Sequence, residues 1–275
     1  MKIAFQGEPG AYSEEAIIQH WGDSVTPLAR PYLSDVFNSV EAKQAELGLV
    51  PVENTLEGSI VRTYDLLLEK DLKVQGEVVL RVVHCLVANP NVNKEDVRRV
   101  YSHPQALGQC RLYLEEHGYE AIATYDTAGS VKMLKQEGSM DAAAIASKRA
   151  AEVYDMVVLE SGIETHAENY TRFLIIGHED HQPTGKDKTS LSFIVEHRPG
   201  TLINALKVLA ENGVNLTKIE SRPLIGKPWE YVFFLDFMGH RTDPGMHQIL
   251  DDFSKNTRFV KIFGSYPSAE SEVWR

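Results

Sequence analysis

The sequence predicts an α/β fold followed by a separate, smaller βαββαβ unit. Three observations carry that reading. Strand-like and helix-like runs alternate up to about residue 176. The segment His178 to Thr189 (HEDHQPTGKDKT) is polar, with Pro and Gly, and reads as a linker. Beyond it the pattern becomes strand, helix, strand, strand, helix, strand.

In the first part, Ile3 to Phe5 reads as a strand, then a Gly-rich turn, then a helix from about Ser13 to Trp21. Ser34 to Ala45 looks helical, with Val36, Phe37, Val40 and Ala45 on one side. Leu47 to Val52 is a strand and Ile60 to Glu69 a helix. The apolar run Val78 to Val87 reads as one strand. Arg99 to Ser102 leads into a helix from Pro104 to His117, where proline suits the first turn because its missing N–H would have no partner. Ala121 to Thr124, Ala142 to Ala146 and Thr171 to Ile176 are strands; Ala128 to Gln136 and Lys148 to Tyr154 are helices. Such alternation implies a mostly parallel sheet. The run Glu77 to Asn89 can cross between two α/β halves with a cleft between them; a single open sheet is the alternative.

After the linker, Ser190 to Glu196 alternates as a strand. Leu202, Ala205, Leu206 and Leu209 form one apolar helical face, closed by Gly213. Val214 to Leu224 and Trp229 to Phe237 form a hairpin through Ile225-Gly226-Lys227-Pro228. A helix from Pro244 to Ser254 and a strand from Phe259 to Ser265 complete the unit. The tail from Pro267 reads as loose, with Trp274 able to dock.

The chain has 275 residues, enough for two domains, and is 43% hydrophobic and 24% charged, as globular proteins are. Its formal charge of -11 speaks against nucleic acid or an anionic membrane as partner. Cys85 and Cys110 form no CxxC pair, which favours reduced thiols and a cytoplasmic setting. The N-terminus reads as a strand, not a signal peptide. No run approaches the roughly 20 apolar residues of a membrane span. The His178/His181 pair, lying in the linker, does not make a metal site. Gly185-Lys186 lacks the rest of a phosphate loop, and no GxSxG or HExxH occurs.

Four segments stand where strands give way to helices or loops, the usual place for ligands in such sheets. Gly7-Glu8-Pro9-Gly10-Ala11-Tyr12-Ser13 lets backbone approach a ligand, but taken alone reads sooner as a tight βα turn, since its spacing is not the dinucleotide fingerprint. Glu53-Asn54-Thr55 offers short polar groups, or an Asx turn. Ser102-His103-Pro104-Gln105, with Gln109 further along, combines a hydroxyl and a helix start, or is a plain cap. Asn169-Tyr170-Thr171-Arg172-Phe173 brings polar and aromatic groups to a strand mouth.

Together these segments resemble prephenate dehydratase over nearly the whole chain. The unit beyond the linker resembles an ACT domain, with His197, Gly200 and Leu202 and with Glu220-Ser221-Arg222-Pro223 matching phenylalanine-sensing motifs. The usual Gly-Ala-Leu reads Gly200-Thr201-Leu202 here, and Thr55 stands where a serine is frequent. The resemblance implies a two-lobed catalytic domain like that of periplasmic binding proteins over 1–178, its second lobe at about 78–160. A ferredoxin-like ACT domain is implied over 189–266. It implies a carbon-oxygen lyase that converts prephenate to phenylpyruvate, carbon dioxide and water without metal or cofactor, under feedback from phenylalanine, in a homodimer or homotetramer. Thr171 is implied as the proton donor. Glu53, Asn54, Ser102 and Gln109 join it as catalytic residues, and Arg172, Phe173 and Thr55 bind substrate. Gly200, Thr201, Leu202, Glu220, Ser221, Arg222 and Pro223 are implied for the effector. No helical segment precedes the first strand, so a fused chorismate mutase is not expected. Arogenate as substrate, or a solute-binding protein without chemistry, are the competing readings.

Overall fold

The computed structural model describes residues 1–224, 226–227 and 229–269. Ile225 and Pro228 of the expected hairpin turn, and the docking of Trp274, lie outside the described residues.

The chain begins β1 (Lys2–Gln6), α1 (Tyr12–Trp21), β2 (Thr26–Arg30), α2 (Leu33–Glu41), β3 (Leu47–Asn54), β4 (Gly58–Ser59), α3 (Val61–Glu69) and β5 (Lys73–Arg81). It continues through β6 (Cys85–Ala88), β7 (Arg99–Ser102), α4 (Pro104–Gln109), α5 (Arg111–His117), β8 (Glu120–Ala123) and α6 (Thr127–Glu137). Then come β9 (Ala142–Ala146), α7 (Lys148–Val153), β10 (Val157–Ser161) and β11 (Tyr170–Gly177). The last part is β12 (Asp187–Ile194), α8 (Thr201–Glu211), β13 (Leu216–Pro223), β14 (Tyr231–Met238), α9 (Met246–Lys255) and β15 (Phe259–Pro267). Among the described residues no helix is long and apolar enough to cross a membrane.

The α/β reading holds, and the part before the linker has two sheets rather than one open sheet. The first has the order β2-β1-β3-β11-β5, with β4 added on β3; the second has the order β10-β6-β9-β7-β8. β1 runs parallel to β2 and β3, and β7 parallel to β8 and β9. β6 and β10 are antiparallel to their neighbours, because the chain passes from β5 into β6 with no crossover helix to reverse it. The third sheet, β13-β14-β12-β15, is antiparallel throughout, as βαββαβ requires.

The chain divides into two compact units, one of Met1–Ile60 with Val78–Phe173, the other of Val61–Glu77 with Leu174–Arg275. In the first, one core gathers Leu86, Val100, Leu107, Leu114 and Ile145 between the second sheet and its helices. In the second, Leu191, Phe193, Leu235 and Phe237 of the sheet pack on Ala205 and Leu209 of α8 and Leu250 and Phe253 of α9. The predicted face of α8 is thus the buried one.

Two expected elements are broken, and both breaks matter. The run Val78 to Val87 is two strands, interrupted over residues 82–84. There Val82 N–H donates to Asn169 O at 2.7 Å and His84 N–H to Glu164 Oε2 at 3.0 Å, so both leave the ladder for loop partners. An apolar run hides such a break, because Val82 and Val83 are as apolar as the strands around them. The helix from Pro104 stops at Gln109 and restarts at Arg111; Gln109 O is taken by Thr165 N–H at 2.8 Å. The strands missed in the sequence are β2 and β10, both sheet edges where one-sided burial leaves a weak pattern, and β4, which is only two residues long.

Half-buried Glu15 on α1 has its carboxyl raised from 4.5 to about 7, by burial first and then by Glu152, against the opposing pull of Lys148 and Arg149. Between those values the folded chain binds the proton more readily than the unfolded one. Stability therefore falls as pH rises through that window. Glu15→Gln removes the penalty. Urea denaturation is expected to find the variant more stable than the wild type at pH 8, by about 1–3 kcal/mol. The two should be equal near pH 4, and equality at both values would rule out a charged, strained Glu15.

Candidate active site

A pocket of about 250 Å³ opens in the first unit, between the ends of β3 and β11 on one side and the starts of α1, α4 and α6 on the other. Its polar lining includes Tyr12, Ser13, Asn54, His84, His103, Gln109, Asp126, Asn169 and Thr171, and its apolar lining includes Ile60, Val82 and Phe173. The two sheets contribute together: Asn54 and Thr171 come from the first, while Gln109 stands on a helix of the second.

The loop before α1 is shaped for close approach. Gly7 and Gly10 have φ of 122° and 88°, and a Cβ on Gly10 would meet Ala150 Cα at 2.6 Å. Ser147 Oγ, which caps α7, also donates to Gly10 O at 2.6 Å. The N-cap of α1 is Ala11, whose side chain gives the first-turn N–H groups no cap, and the helix starts at the pocket with Tyr12 and Ser13 in the lining. α6 begins differently: Asp126 caps it by accepting from Gly129 N–H at 2.7 Å. Burial nevertheless pushes the Asp126 carboxyl up from its usual range.

Side-chain hydrogen bonds run unbroken along one wall. Asn54 Oδ1 accepts from the backbone N–H groups of Leu56 and Glu57 at 2.9 and 3.0 Å, an Asx turn. Asn54 Nδ2 then donates to Asn169 Oδ1 at 2.8 Å and to Thr171 Oγ1 at 3.0 Å. Asn169 Nδ2 donates to Gln109 Oε1 at 3.1 Å, and that same oxygen lies 2.7 Å from His84 Nε2. His84 Nδ1 is 2.6 Å from the Tyr12 hydroxyl. Burial lowers the His84 pKa from its usual value, outweighing the Gln109 bond and the Glu164 charge, which favours the neutral ring. Burial also raises the Tyr12 phenol well above its usual value.

Asn54, Gln109, Thr171 and Phe173 therefore meet in one pocket, as the sequence reading requires of them. Four other candidates lie elsewhere. Ser102 is fully buried and its Oγ donates to Ile145 O at 2.6 Å, so it braces β7 against β9. Glu53 and Arg172 face each other at 3.8 Å, outside the lining. Strand alternation explains both: residues 171 and 173 point into the pocket, so residue 172 points away, and Glu53 likewise opposes Asn54. Thr55 Oγ1 accepts from Tyr170 N–H at 2.9 Å and donates to Glu168 O at 2.8 Å, tying two loops together. Among the described residues no lysine or arginine lines the pocket. His103, read as a cap, is one: its Nδ1 accepts from Gln105 N–H at 3.3 Å. Tyr12, His84 and Asn169 were not among the candidates. Tyr12 and Asn169 lie in segments singled out for other residues, whereas His84 sits inside an apolar run and gave no signal. Among the described residues no cluster of His, Cys, Asp and Glu has the make-up of a metal site.

A family model for prephenate dehydratase matches residues 3–181, and one for the ACT domain matches residues 189–252. The chain belongs to the prephenate dehydratase family. A bifunctional chorismate mutase/prephenate dehydratase of Aquifex aeolicus is 40% identical over 98% of this chain and 74% of its own length. The crystal structure of prephenate dehydratase in complex with L-Phe from Arthrobacter aurescens superposes with a TM-score of 0.90 at 30% identity, covering 99% of this chain and 91% of that one. A structure described as GqqA, a novel type of quorum quenching acylase, reaches a TM-score of 0.92 at 35% identity over 98% of this chain and 99% of that one.

The ACT domain of this prephenate dehydratase family member has its own pocket, of about 490 Å³. Val195 to Ile203 line one side, and Glu230, Tyr231 and Phe233 the other. Gly200, Thr201 and Leu202 belong to that lining. Glu220, Ser221, Arg222 and Pro223 do not: they lie on β13, opposite Phe234, Phe233, Val232 and Tyr231. Thr201 Oγ1 donates back to Glu196 O at 2.6 Å, with Arg198 O at 2.9 Å. The hydroxyl that departs from the family pattern thus spends its proton inside its own loop and keeps only lone pairs to offer a ligand.

Proposed function

We propose that this chain converts prephenate to phenylpyruvate, carbon dioxide and water, with residues 1–178 catalysing and residues 189–266 sensing phenylalanine. The carrying observation is the bond from Asn54 Nδ2 to Thr171 Oγ1. It occupies a lone pair of the hydroxyl and leaves the hydroxyl proton to be offered to a ligand in the pocket.

The chemistry needs such a donor. The ring carboxylate leaves as carbon dioxide, its bonding electrons move into the ring, and the ring C–O bond breaks as the system becomes aromatic. Hydroxide departs badly unless a proton or strong hydrogen bond meets it. A threonine hydroxyl is a weak acid, so Thr171 serves best as a donor held in line with the departing oxygen. The side-chain carboxylate is suited to the uncapped first turn of α1, near Ser13. The ring carboxylate is better left beside apolar Phe173 and Val82, since tight binding would oppose its loss. This reading assigns catalysis to Thr171, with Asn54 and Gln109 holding it, and leaves Ser102, Glu53, Arg172 and Thr55 as supports of the strand ends.

Acyl transfer is the less favoured reading. Both ring nitrogens of His84 are engaged, by Tyr12 and Gln109, and Nδ1 of His103 holds its helix cap. Neither imidazole stands ready to activate the Thr171 hydroxyl as a nucleophile.

The exposed Ile219, Tyr231 and Phe259 on strands of the four-stranded sheet suit pairing of two copies in a homodimer or homotetramer. Buried, unpaired Cys85 and Cys110 suit a reducing, cytoplasmic setting. Purified protein given prephenate should yield phenylpyruvate, and added phenylalanine should change the rate. Phenylalanine formed only from arogenate would move the substrate assignment. No product from either would favour a solute-binding protein.

A further inference from the structure

We propose that Tyr12 and His84 are positioning residues that hold one end of a hydrogen-bond relay whose other end is the Thr171 hydroxyl. The proposal rests on the dehydratase reading for its kinetic consequence, but not for the relay itself.

The direction of every bond follows from donors and acceptors that cannot exchange roles. Backbone N–H groups of Leu56 and Glu57 can only donate, so the Asn54 atom they meet is the oxygen. Its amide nitrogen must then face Asn169 and Thr171. Asn169 receives that donor on its oxygen and so turns its own nitrogen toward Gln109. Gln109 is fixed a second time from its other end, where Nε2 meets the acceptor-only carboxylate of Glu57 at 3.3 Å. Gln109 Oε1 therefore faces His84 Nε2, which must carry the ring proton. The neutral ring then has a bare lone pair at Nδ1, and the Tyr12 hydroxyl fills it at 2.6 Å, much nearer than its other acceptor, Val83 O at 3.3 Å.

Read outward from Tyr12, the phenol O–H holds the imidazole in the Nε2–H form. That form keeps Gln109 Oε1 facing inward, where it accepts from Asn169, which in turn packs its oxygen against the Asn54 amide. If the ring carried its proton on Nδ1, Nε2 would oppose Gln109 Oε1, lone pair against lone pair. Relief would require Gln109 to turn or draw back, which takes away the acceptor of Asn169 and loosens the Asn169–Asn54 contact beside Thr171. The Asn54 amide would then no longer be held in line with the threonine hydroxyl. His84 is 2% exposed and Asn169 fully buried, so both depend on protein partners for their hydrogen bonds although they border the pocket. Tyr12 and His84 also meet edge to face, with ring centroids 5.5 Å apart. None of these links is local: Tyr12 and His84 are separated by 72 residues, and Asn54 and Thr171 by 117.

Substitution separates this role from a merely structural one. Tyr12→Phe keeps the ring and loses the donor. His84→Gln keeps an amide N–H able to meet Gln109 Oε1, and His84→Leu keeps neither. We expect Tyr12→Phe and His84→Leu to lower kcat by about 10- to 100-fold, the cost typical of a misplaced reacting group, with KM within about threefold. His84→Gln should recover most of the loss. The double variant Tyr12→Phe/His84→Leu should be no slower than His84→Leu alone, because both act through one relay. Histidine ¹⁵N NMR supplies the readout that needs no substrate. The resonances missing from His84→Gln identify His84; they should be those of an Nε2–H ring, with Nδ1 shifting in Tyr12→Phe. An Nδ1–H ring in the wild type overturns the relay whatever the substrate is. Unchanged kcat in Tyr12→Phe and His84→Leu, with an active wild type, overturns its kinetic role. Inactivity of the wild type on prephenate, with the expected resonances present, overturns the substrate assignment and leaves the relay standing.

Discussion

Thr171→Ala is expected to lower turnover of prephenate by about a thousandfold, within the 10²–10⁴ range that loss of a positioned proton donor costs. The Michaelis constant should change little, since the lost interaction strengthens only as the C–O bond breaks. The fold should survive, because Thr171 Oγ1 takes one bond from Asn54, whose nitrogen keeps Asn169 as a partner. Thr171→Ser retains the hydroxyl and should retain most of the rate. Steady-state assays of phenylpyruvate formation decide the matter. Turnover of Thr171→Ala within tenfold of wild type would remove the hydroxyl from the mechanism.

The largest expected effect on stability is Lys188→Met in the second unit. Lys188 and Glu77 form an ion pair at 3.0 Å with side chains only 3% and 1% exposed. Glu77 Oε1 also accepts from Ala269 N–H at 2.9 Å, so the carboxylate ties the end of β15 to β5. Removing one partner of such a pair strands the other charge, at a cost of about 3–5 kcal/mol. Replacing both, in Lys188→Met/Glu77→Leu, should destabilise less than Lys188→Met alone, because neither charge of the pair is left behind without the other. Denaturant midpoints of the two variants and the wild type test this. A single variant within about 1 kcal/mol of the wild type would mean that the pair is not buried as described.

Much of the site was legible because strand ends are where such sheets bind ligands, and Asn54, Gln109, Thr171 and Phe173 all lie near those ends. Two of the departures were also present in the sequence, unread. Alternation along a strand places Thr171 and Phe173 on one face and Arg172 on the other, and it separates Glu53 from Asn54 in the same way. The general attraction of an arginine for a carboxylate outweighed that simple period. Ser102 was a different case. Its hydroxyl looks available at a strand end, and only the neighbouring strand supplies the Ile145 carbonyl that consumes it. His84 was hidden within Val82-Val83-His84-Cys85, a run that reads as uninterrupted strand until loop partners pull its backbone out of register.

By itself the sequence determined the alternation of elements, the polar linker, the βαββαβ order and the strand mouths that carry polar groups. These depend on local periodicity and on residues whose backbone preferences act over a few neighbours. Only the tertiary structure decided which of those polar groups share a pocket, which are spent on the scaffold, and which way each amide and the imidazole of the relay must point. Those choices depend on hydrogen bonds between segments far apart in the chain, and a donor's direction is fixed only when its distant acceptor is in place.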